Sequence, residues 1–190
     1  MNKITTFISR RAKKPTIFFW LAILMVFNIL MNTPGLPTST PSMQKISPTF
    51  NPFDLQAKGY NLQSFTNDLN LLGENGRAIY KNFMLLDIFF PFIYGVFFAS
   101  LIWLVFRSKT NFLKYLFLIP LCTALFDYAE NLFLTIGFYT YPNSSASIIQ
   151  LASLFTQGKM VFNGLMVVSL LTTLIYWIVT KVKVKKTTAH

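Results

Sequence analysis

Four charged side chains, and an amide adjacent to one of them, stand inside the long apolar segments of this sequence. They are Asp87, the group of Asp127, Glu130 and Asn131, and Lys159. A charge at the centre of a bilayer costs about 2.5 to 3.5 kcal/mol on insertion scales, so such residues normally face a bundle interior and pair with one another. The sequence therefore predicts one shared polar site between helices.

The spacing of these residues supports a common site. Positions 127, 130 and 131 are three and four residues apart, which places them on one face of a helix. Pro91 cannot donate a hydrogen bond to the carbonyl of Asp87, so we expect a free carbonyl and a kink there. We predict that Asp127 and Glu130 form an acid–base pair. The predicted ligand-binding residues are Asp87, Tyr94, Asn131, Thr156 and Lys159.

Charge is unbalanced in this cluster, because three carboxyls stand against one ammonium. The excess requires a bound proton, a bound cation, or Arg77 or Lys81 reaching in from the rim of the bundle. Alternatively, Lys159 pairs with Asp127 or Glu130 only to fix the packing of the helices. One pair would suffice for packing, so the surplus of carboxyls favours a functional site.

Composition identifies the class of protein around this cluster. Of the 190 residues, 53% are hydrophobic and 12% are charged, and the net charge is +11. The apolar residues are gathered into long runs, which favours an integral membrane protein over a basic nucleic-acid-binding domain. The single cysteine, Cys122, excludes an internal disulfide, and the single histidine, His190, excludes a histidine-based zinc site. We expect no metal, no other cofactor and no nucleic-acid partner.

Four apolar segments predict an all-α, polytopic membrane protein in which residues 1–190 form a single membrane domain. Each segment is long enough to cross a hydrocarbon core of about 30 Å, and a helix satisfies its own backbone in lipid. The result is a four-transmembrane-helix bundle with a short external amphipathic helix. The predicted spans cover residues 15–32, 83–106, 115–138 and 148–180, with an external segment at 33–82.

The distribution of Lys and Arg predicts the orientation of these spans. Twelve basic residues and no acidic ones lie on the side that carries both termini, which is therefore expected to be cytoplasmic. The absence of disulfides and the small external segment favour a bacterial inner membrane. The twelve residues are Lys3, Arg10, Arg11, Lys13, Lys14, Arg107, Lys109, Lys114, Lys181, Lys183, Lys185 and Lys186.

The external segment divides into two parts. Residues 33–52 contain five prolines and predict an extended loop. After them, Asn61 is a candidate N-cap and Gly73 a candidate stop for a short amphipathic helix on the outer surface. Passive packing of this segment is favoured over a lid that covers a site. The apolar positions at helical spacing are Leu62, Phe65, Leu69 and Leu72.

Three functions fit these features. The favoured hypothesis is a site that binds or acts on a lipid-like or cationic small molecule, in contact with membrane lipids. The second is a proton- or cation-coupled carrier or channel subunit, which would need oligomerisation to complete a pathway. The third is a membrane assembly or scaffold protein whose polar network only fixes packing.

Overall fold

The computed structural model describes residues 3–108 and 112–187, so Lys109 and His190, both named in the sequence predictions, lie outside it. The protein is all-helical: helices account for 82% of it, and the described residues contain no strand. The predicted all-α class is therefore confirmed. The helices are α1 (Lys3–Arg11), α2 (Lys14–Asn32), α3 (Thr40–Ile46), α4 (Leu62–Asp87), α5 (Phe90–Phe106), α6 (Leu118–Thr140) and α7 (Ala146–Thr187), with short 3-10 turns at Phe53–Leu55 and Phe112–Tyr115.

In the described part of the chain, four helical stretches are long and apolar enough to cross a membrane. They contain or closely match the four spans predicted from the sequence. The second stretch is longer than predicted, because α4 and α5 follow one another with only a short break. The four stretches are Pro15–Asn32, Leu62–Phe106, Phe112–Thr140 and Ala146–Val182.

The break between α4 and α5 follows from Pro91. The sequence predicted one kinked helix here, but α4 ends at Asp87 and α5 begins at Phe90. Pro91 lies in the first turn of α5, where its missing amide costs no helical hydrogen bond. As a result, Asp87 stands at the C-terminal end of a helix, at the junction of two elements.

The predicted short helix before this break is present as the first part of α4. Asn61 caps it in a reciprocal capping box: its side chain accepts from the Ser64 amide at 2.9 Å, and its own amide donates to the Ser64 hydroxyl at 3.0 Å. Gly73 interrupts the helix with φ 59° and ψ −171°, a conformation that favours glycine. Both positions match the sequence prediction, whereas the external location of this helix stays a prediction.

The prediction of an extended loop over residues 33–52 is wrong in part, because α3 forms within it. The Ser39 side chain caps α3 by accepting from the Ser42 amide, and Pro41 occupies its first turn. Met43 is fully buried and fixes the helix against the rest of the fold. Proline density suggested a loop, but proline is tolerated at exactly this early helical position.

An aromatic cluster fixes residues 50–60, here called the strap, to the bundle. The Phe53 ring centroid lies 4.9 Å from that of Phe65 and 5.7 Å from that of Tyr80. Phe50 lies 6.0 Å from Tyr80 and Tyr60 lies 5.2 Å from Phe53. All five rings are buried, so the strap is held in place by burial of large apolar area.

The helices that carry the polar residues approach closely. A Cβ added at Gly95 of α5 would lie 3.1 Å from the Cβ of Ala124 on α6. A Cβ at Gly158 of α7 would lie 2.5 Å from the Phe126 ring of α6. Small residues thus let α5 and α7 pack against α6, which carries Asp127 at its centre.

Candidate functional site

Lys159 of α7 lies at the centre of the polar cluster. Its Nζ is 2.5 Å from Oε2 of Glu130 and 3.3 Å from Oδ1 of Asp127. Lys159 and Asp127 are each 5% exposed and Glu130 is fully buried. The alternative interpretation of the sequence paired Lys159 with one of the two carboxylates, and the structure shows a bridge to both.

Hydroxyl groups orient the two carboxylates. The Tyr94 hydroxyl donates to Oδ2 of Asp127 at 2.9 Å, and the Thr156 hydroxyl donates to Oε1 of Glu130 at the same distance. The Tyr60 hydroxyl lies 3.2 Å from Oγ1 of Thr156 and extends the network to the strap. These charge-assisted contacts hold both carboxylates in fixed positions on α6.

Asn131 donates a hydrogen bond to the carbonyl of Asp87, which Pro91 leaves without a donor from its own helix. Its Nδ2 donates to the backbone oxygen of Asp87 at 3.2 Å. The free carbonyl expected from the sequence therefore exists, and α6 supplies its donor. This contact joins α6 to the end of α4, and a ligand contact by Asn131 stays a prediction.

A cavity of about 260 Å³ opens beside the cluster. Three carboxyls and the Lys159 ammonium line it together with leucine, methionine and phenylalanine side chains, and Asn28, Tyr94 and Asn163 add further polar groups. Helices α2, α4, α5, α6 and α7 and the strap all contribute to it. The lining residues are Leu24, Asn28, Met31, Asp54, Leu55, Asp87, Phe90, Tyr94, Phe98, Asp127, Lys159, Met160, Asn163 and Met166.

Asp54 is the residue that sequence reasoning missed. It lies on the 3-10 turn of the strap, and its Oδ1 is buried with no hydrogen-bond partner among residues 3–108 and 112–187. Burial raises the pKa of this carboxyl above its ordinary value of 3.8, with Lys159 opposing the rise and Asp127 adding to it. The only signal in the sequence was an acid between Phe53 and Leu55, two residues that a buried segment would carry.

The predicted site residues fall into two groups. Asp87, Tyr94, Asp127 and Lys159 line the cavity. Glu130, Thr156 and Asn131 are not among its lining residues; Glu130 is a buried partner of Lys159, and Thr156 donates to Glu130. The acid–base role of Asp127 and Glu130 stays a prediction, but only Asp127 of this pair reaches the cavity.

The two cations considered for the rim are engaged elsewhere. Nη1 of Arg77 donates to the carbonyl of Leu69 at 2.9 Å, and its guanidinium lies 5.2 Å from the centre of the Tyr141 ring. The ammonium of Lys81 lies 5.8 Å from the centre of the Tyr139 ring. Neither side chain lines the cavity, so neither balances its carboxyls at close range.

The donor set does not suit a metal ion. Over residues 3–108 and 112–187, no group of three or more His, Cys, Asp or Glu side chains is placed to hold one. The arrangement offers the ion-paired Asp127 and Lys159, two further carboxyls on Asp54 and Asp87, and apolar side chains that line the same cavity.

Comparison with known proteins yields no relative. No protein-family model matches the chain, no curated protein matches it, and no solved structure matches it.

Proposed function

We propose that this chain is an integral membrane protein that binds a lipid-like molecule in the cavity between α2, α5 and α7. The observation that carries the proposal is the mixed lining of this cavity. Asp54, Asp87, Asp127 and Lys159 line it, and so do long apolar side chains of leucine, methionine and phenylalanine. A molecule with a polar head and an apolar tail matches both kinds of side chain.

The outer surface of the helices supports insertion into a membrane. On α7, Leu154, Val161 and Val168 are each at least 60% exposed, and on α2 Phe18 is 69% exposed. Only 6% of the residues in the span on α2 are buried. An apolar surface of this extent is unfavourable in water and is typical of contact with lipid.

The position of α2 supports entry of the ligand from the side. Helix α2 packs chiefly against α5, yet Leu24 and Met31 of α2 line the same cavity as Met160 and Met166 of α7. The cavity thus occupies the gap between α2 and α7. Methionine side chains adapt to irregular apolar shapes, which suits a flexible tail.

Asp127 is the group we assign to any chemical step on the ligand. It lines the cavity, and both of its oxygens are held, one by Lys159 and one by Tyr94. Glu130 lies behind Lys159 and would act as a charge partner. Substitution of Asp127 by Asn should then abolish turnover while leaving ligand retention in place.

We also propose that both termini face the cytoplasm of a bacterial cell. The support is the concentration of Lys and Arg on the side of the termini and on the loop before α6. A reporter protein that is active only in the cytoplasm should therefore be active when it is fused to the C-terminus. Activity only of a reporter that requires the periplasm would reverse this orientation.

Native mass spectrometry of gently purified protein tests the proposed binding. Met160 lines the cavity, whereas the adjacent Val161 is 65% exposed on the outer face of α7. The wild type and the Val161→Trp variant should retain a discrete ligand mass, and Met160→Trp should lose it. Equal retention by both tryptophan variants, or no retained mass in the wild type, would overturn the proposal.

A further inference from the structure

We infer that the ligand of this cavity carries an ammonium group, which binds between the carboxyls of Asp54 and Asp87. The inference depends on the proposed function, since it specifies the head group of the same ligand. It arises from two carboxyls that the protein leaves without a cation. The apolar part of the cavity then requires the ammonium to be attached to an apolar tail.

Asp87 is a buried carboxyl whose side chain has no partner among the residues that the structure describes. It is 5% exposed and lines the cavity, and its backbone oxygen accepts from Asn131. Within the described ranges, its carboxylate makes no hydrogen bond and no ion pair. A buried carboxylate normally has such a partner, so the missing one points to a ligand.

Asp54 supplies a second such group from a different element. Its Oδ1 is buried and has no hydrogen-bond partner in the described part of the protein. It lines the same cavity as Asp87, and both also line a small void beside Asn131. The strap therefore holds its carboxyl over the same space into which the end of α4 places Asp87.

Lys159, the cationic side chain of this cavity, is already paired with two other carboxylates. Lys159 bridges Asp127 and Glu130 at 3.3 and 2.5 Å, so it leaves Asp54 and Asp87 unbalanced. An anionic head group would add a further negative charge to this wall. A cationic group instead offsets the excess and removes the cost of two unpaired carboxyls.

The rings in the cavity favour an ammonium over a small inorganic cation. Phe90, Tyr94 and Phe98 line the cavity together with the two carboxyls, and the centres of the first two rings are 5.5 Å apart. The faces of aromatic rings attract ammonium groups, and the attraction is strongest where water is excluded. The described residues contain no metal-type donor cluster, and the apolar wall leaves an alkali ion poorly solvated.

Matched probes in lipid nanodiscs test the head group directly. We would compare dodecyltrimethylammonium, dodecyl sulfate and dodecanol, which share one tail, with tetramethylammonium, which has none. Binding is measured by equilibrium dialysis below micellar concentrations, with empty nanodiscs as background. The long-chain ammonium should bind at least tenfold more tightly than each of the other three probes.

The variants connect this preference to the two carboxyls. Asp54→Asn and Asp87→Asn should each weaken binding of the long-chain ammonium by about ten- to a hundredfold, the effect of losing a close charge pair, because this quaternary head group has no N–H to donate. Binding of dodecanol should stay unchanged. Glu74→Gln, at an exposed acid away from the cavity, is the matched control and should change neither.

The outcomes separate this inference from the proposed function. Equal binding of all three long-chain probes, each lost in Met160→Trp, would retain the cavity as a lipid site and overturn the ammonium head group. Equal binding of tetramethylammonium would indicate a simple cation site and also overturn it. Binding unaffected by Met160→Trp would overturn the proposed function itself. The probe comparison uses the wild type, so it stands even where a variant fails to fold.

Discussion

Removal of the Lys159 ammonium should destabilise the bundle more than any other single substitution of a lysine in the described chain. Lys159→Met keeps most of the length of the side chain and removes the ammonium with its charge and its hydrogen-bond donors. The two carboxylates that it bridges, on Asp127 and Glu130, are 5% and 0% exposed. Glu130 is fully enclosed and Asp127 faces only the cavity, so the two carboxylates would stay close together without their cation.

The size of the loss follows from this burial. Removing one partner of a buried ion pair costs about 3–5 kcal/mol, because the remaining charge is left uncompensated. For a chain of about this length, each kcal/mol lowers the melting temperature by about 2–4 °C. Lys159→Met should therefore lower the melting temperature by roughly 6–20 °C at neutral pH.

The assay is thermal unfolding in a mild detergent, followed by the fraction that remains monodisperse on size-exclusion chromatography. Lys45→Met is the matched control, since Lys45 is exposed, and it should leave the melting temperature within about 2 °C of the wild type. Adding Asp127→Asn and Glu130→Gln to Lys159→Met neutralises the cluster and should recover at least half of the loss. If Lys159→Met behaved like Lys45→Met, or if the neutral triple variant stayed as unstable as the single one, the reasoning would be refuted.

Three further perturbations follow from particular contacts. Because burial raises the pKa of Asp54, the ligand-free protein is most stable while this carboxyl is protonated, and it loses stability as the pH rises from about 4 through the raised pKa. Asp54→Asn should therefore flatten the profile of melting temperature against pH over that range. An unchanged slope would contradict this expectation. Asn131→Leu leaves the backbone carbonyl of Asp87 without its hydrogen-bond donor and should lower the free energy of unfolding by about 1 kcal/mol in the same assay. No loss would show that a water molecule replaces the amide. Gly73→Ala places a side chain on a residue with φ 59° and should lower the free energy of unfolding by about 1–2 kcal/mol. Gly164→Ala, in open space on α7, should leave it unchanged or raise it. Equal effects of the two substitutions would contradict this difference between the positions.

Much of the fold could be predicted because the bilayer requirement is strong. A segment of about 20 apolar residues has few alternatives to a helix in lipid, and the observed helices match the four runs. Asn61 and Gly73 were recognisable because capping and positive φ depend on single residue types. The helix α3 was missed because the same proline is compatible with a loop and with a first helical turn.

The candidate site could be predicted only where its members share an element or a periodic spacing. Asp127, Glu130 and Asn131 lie three and four residues apart, so their common face was readable from the sequence. Asp54 comes from a segment with no such periodicity. Its position depends on the packing of Phe53 against Phe65 and Tyr80, a tertiary contact that no local pattern encodes.

The different surroundings of the two carboxyls of α6 could not be predicted from the sequence. The sequence treats Asp127 and Glu130 as equivalent acids on one helical face. In the structure Asp127 lines the cavity, while Glu130 is fully buried between Lys159 and Thr156. A difference of three residues along a helix rotates the side chain by nearly one turn, and only the neighbouring helices decide which of the two meets the open space.

The central claim is that the gap between α2 and α7 holds an amphiphile with its head at the acidic wall. An experimental density map of the protein in lipid nanodiscs made from its native membrane tests this claim most directly. We predict elongated density along Leu24, Met160 and Met166 that ends within about 4 Å of the carboxylate of Asp87. A gap closed by direct packing of α2 against α7, or filled only by separate water molecules, would contradict the claim.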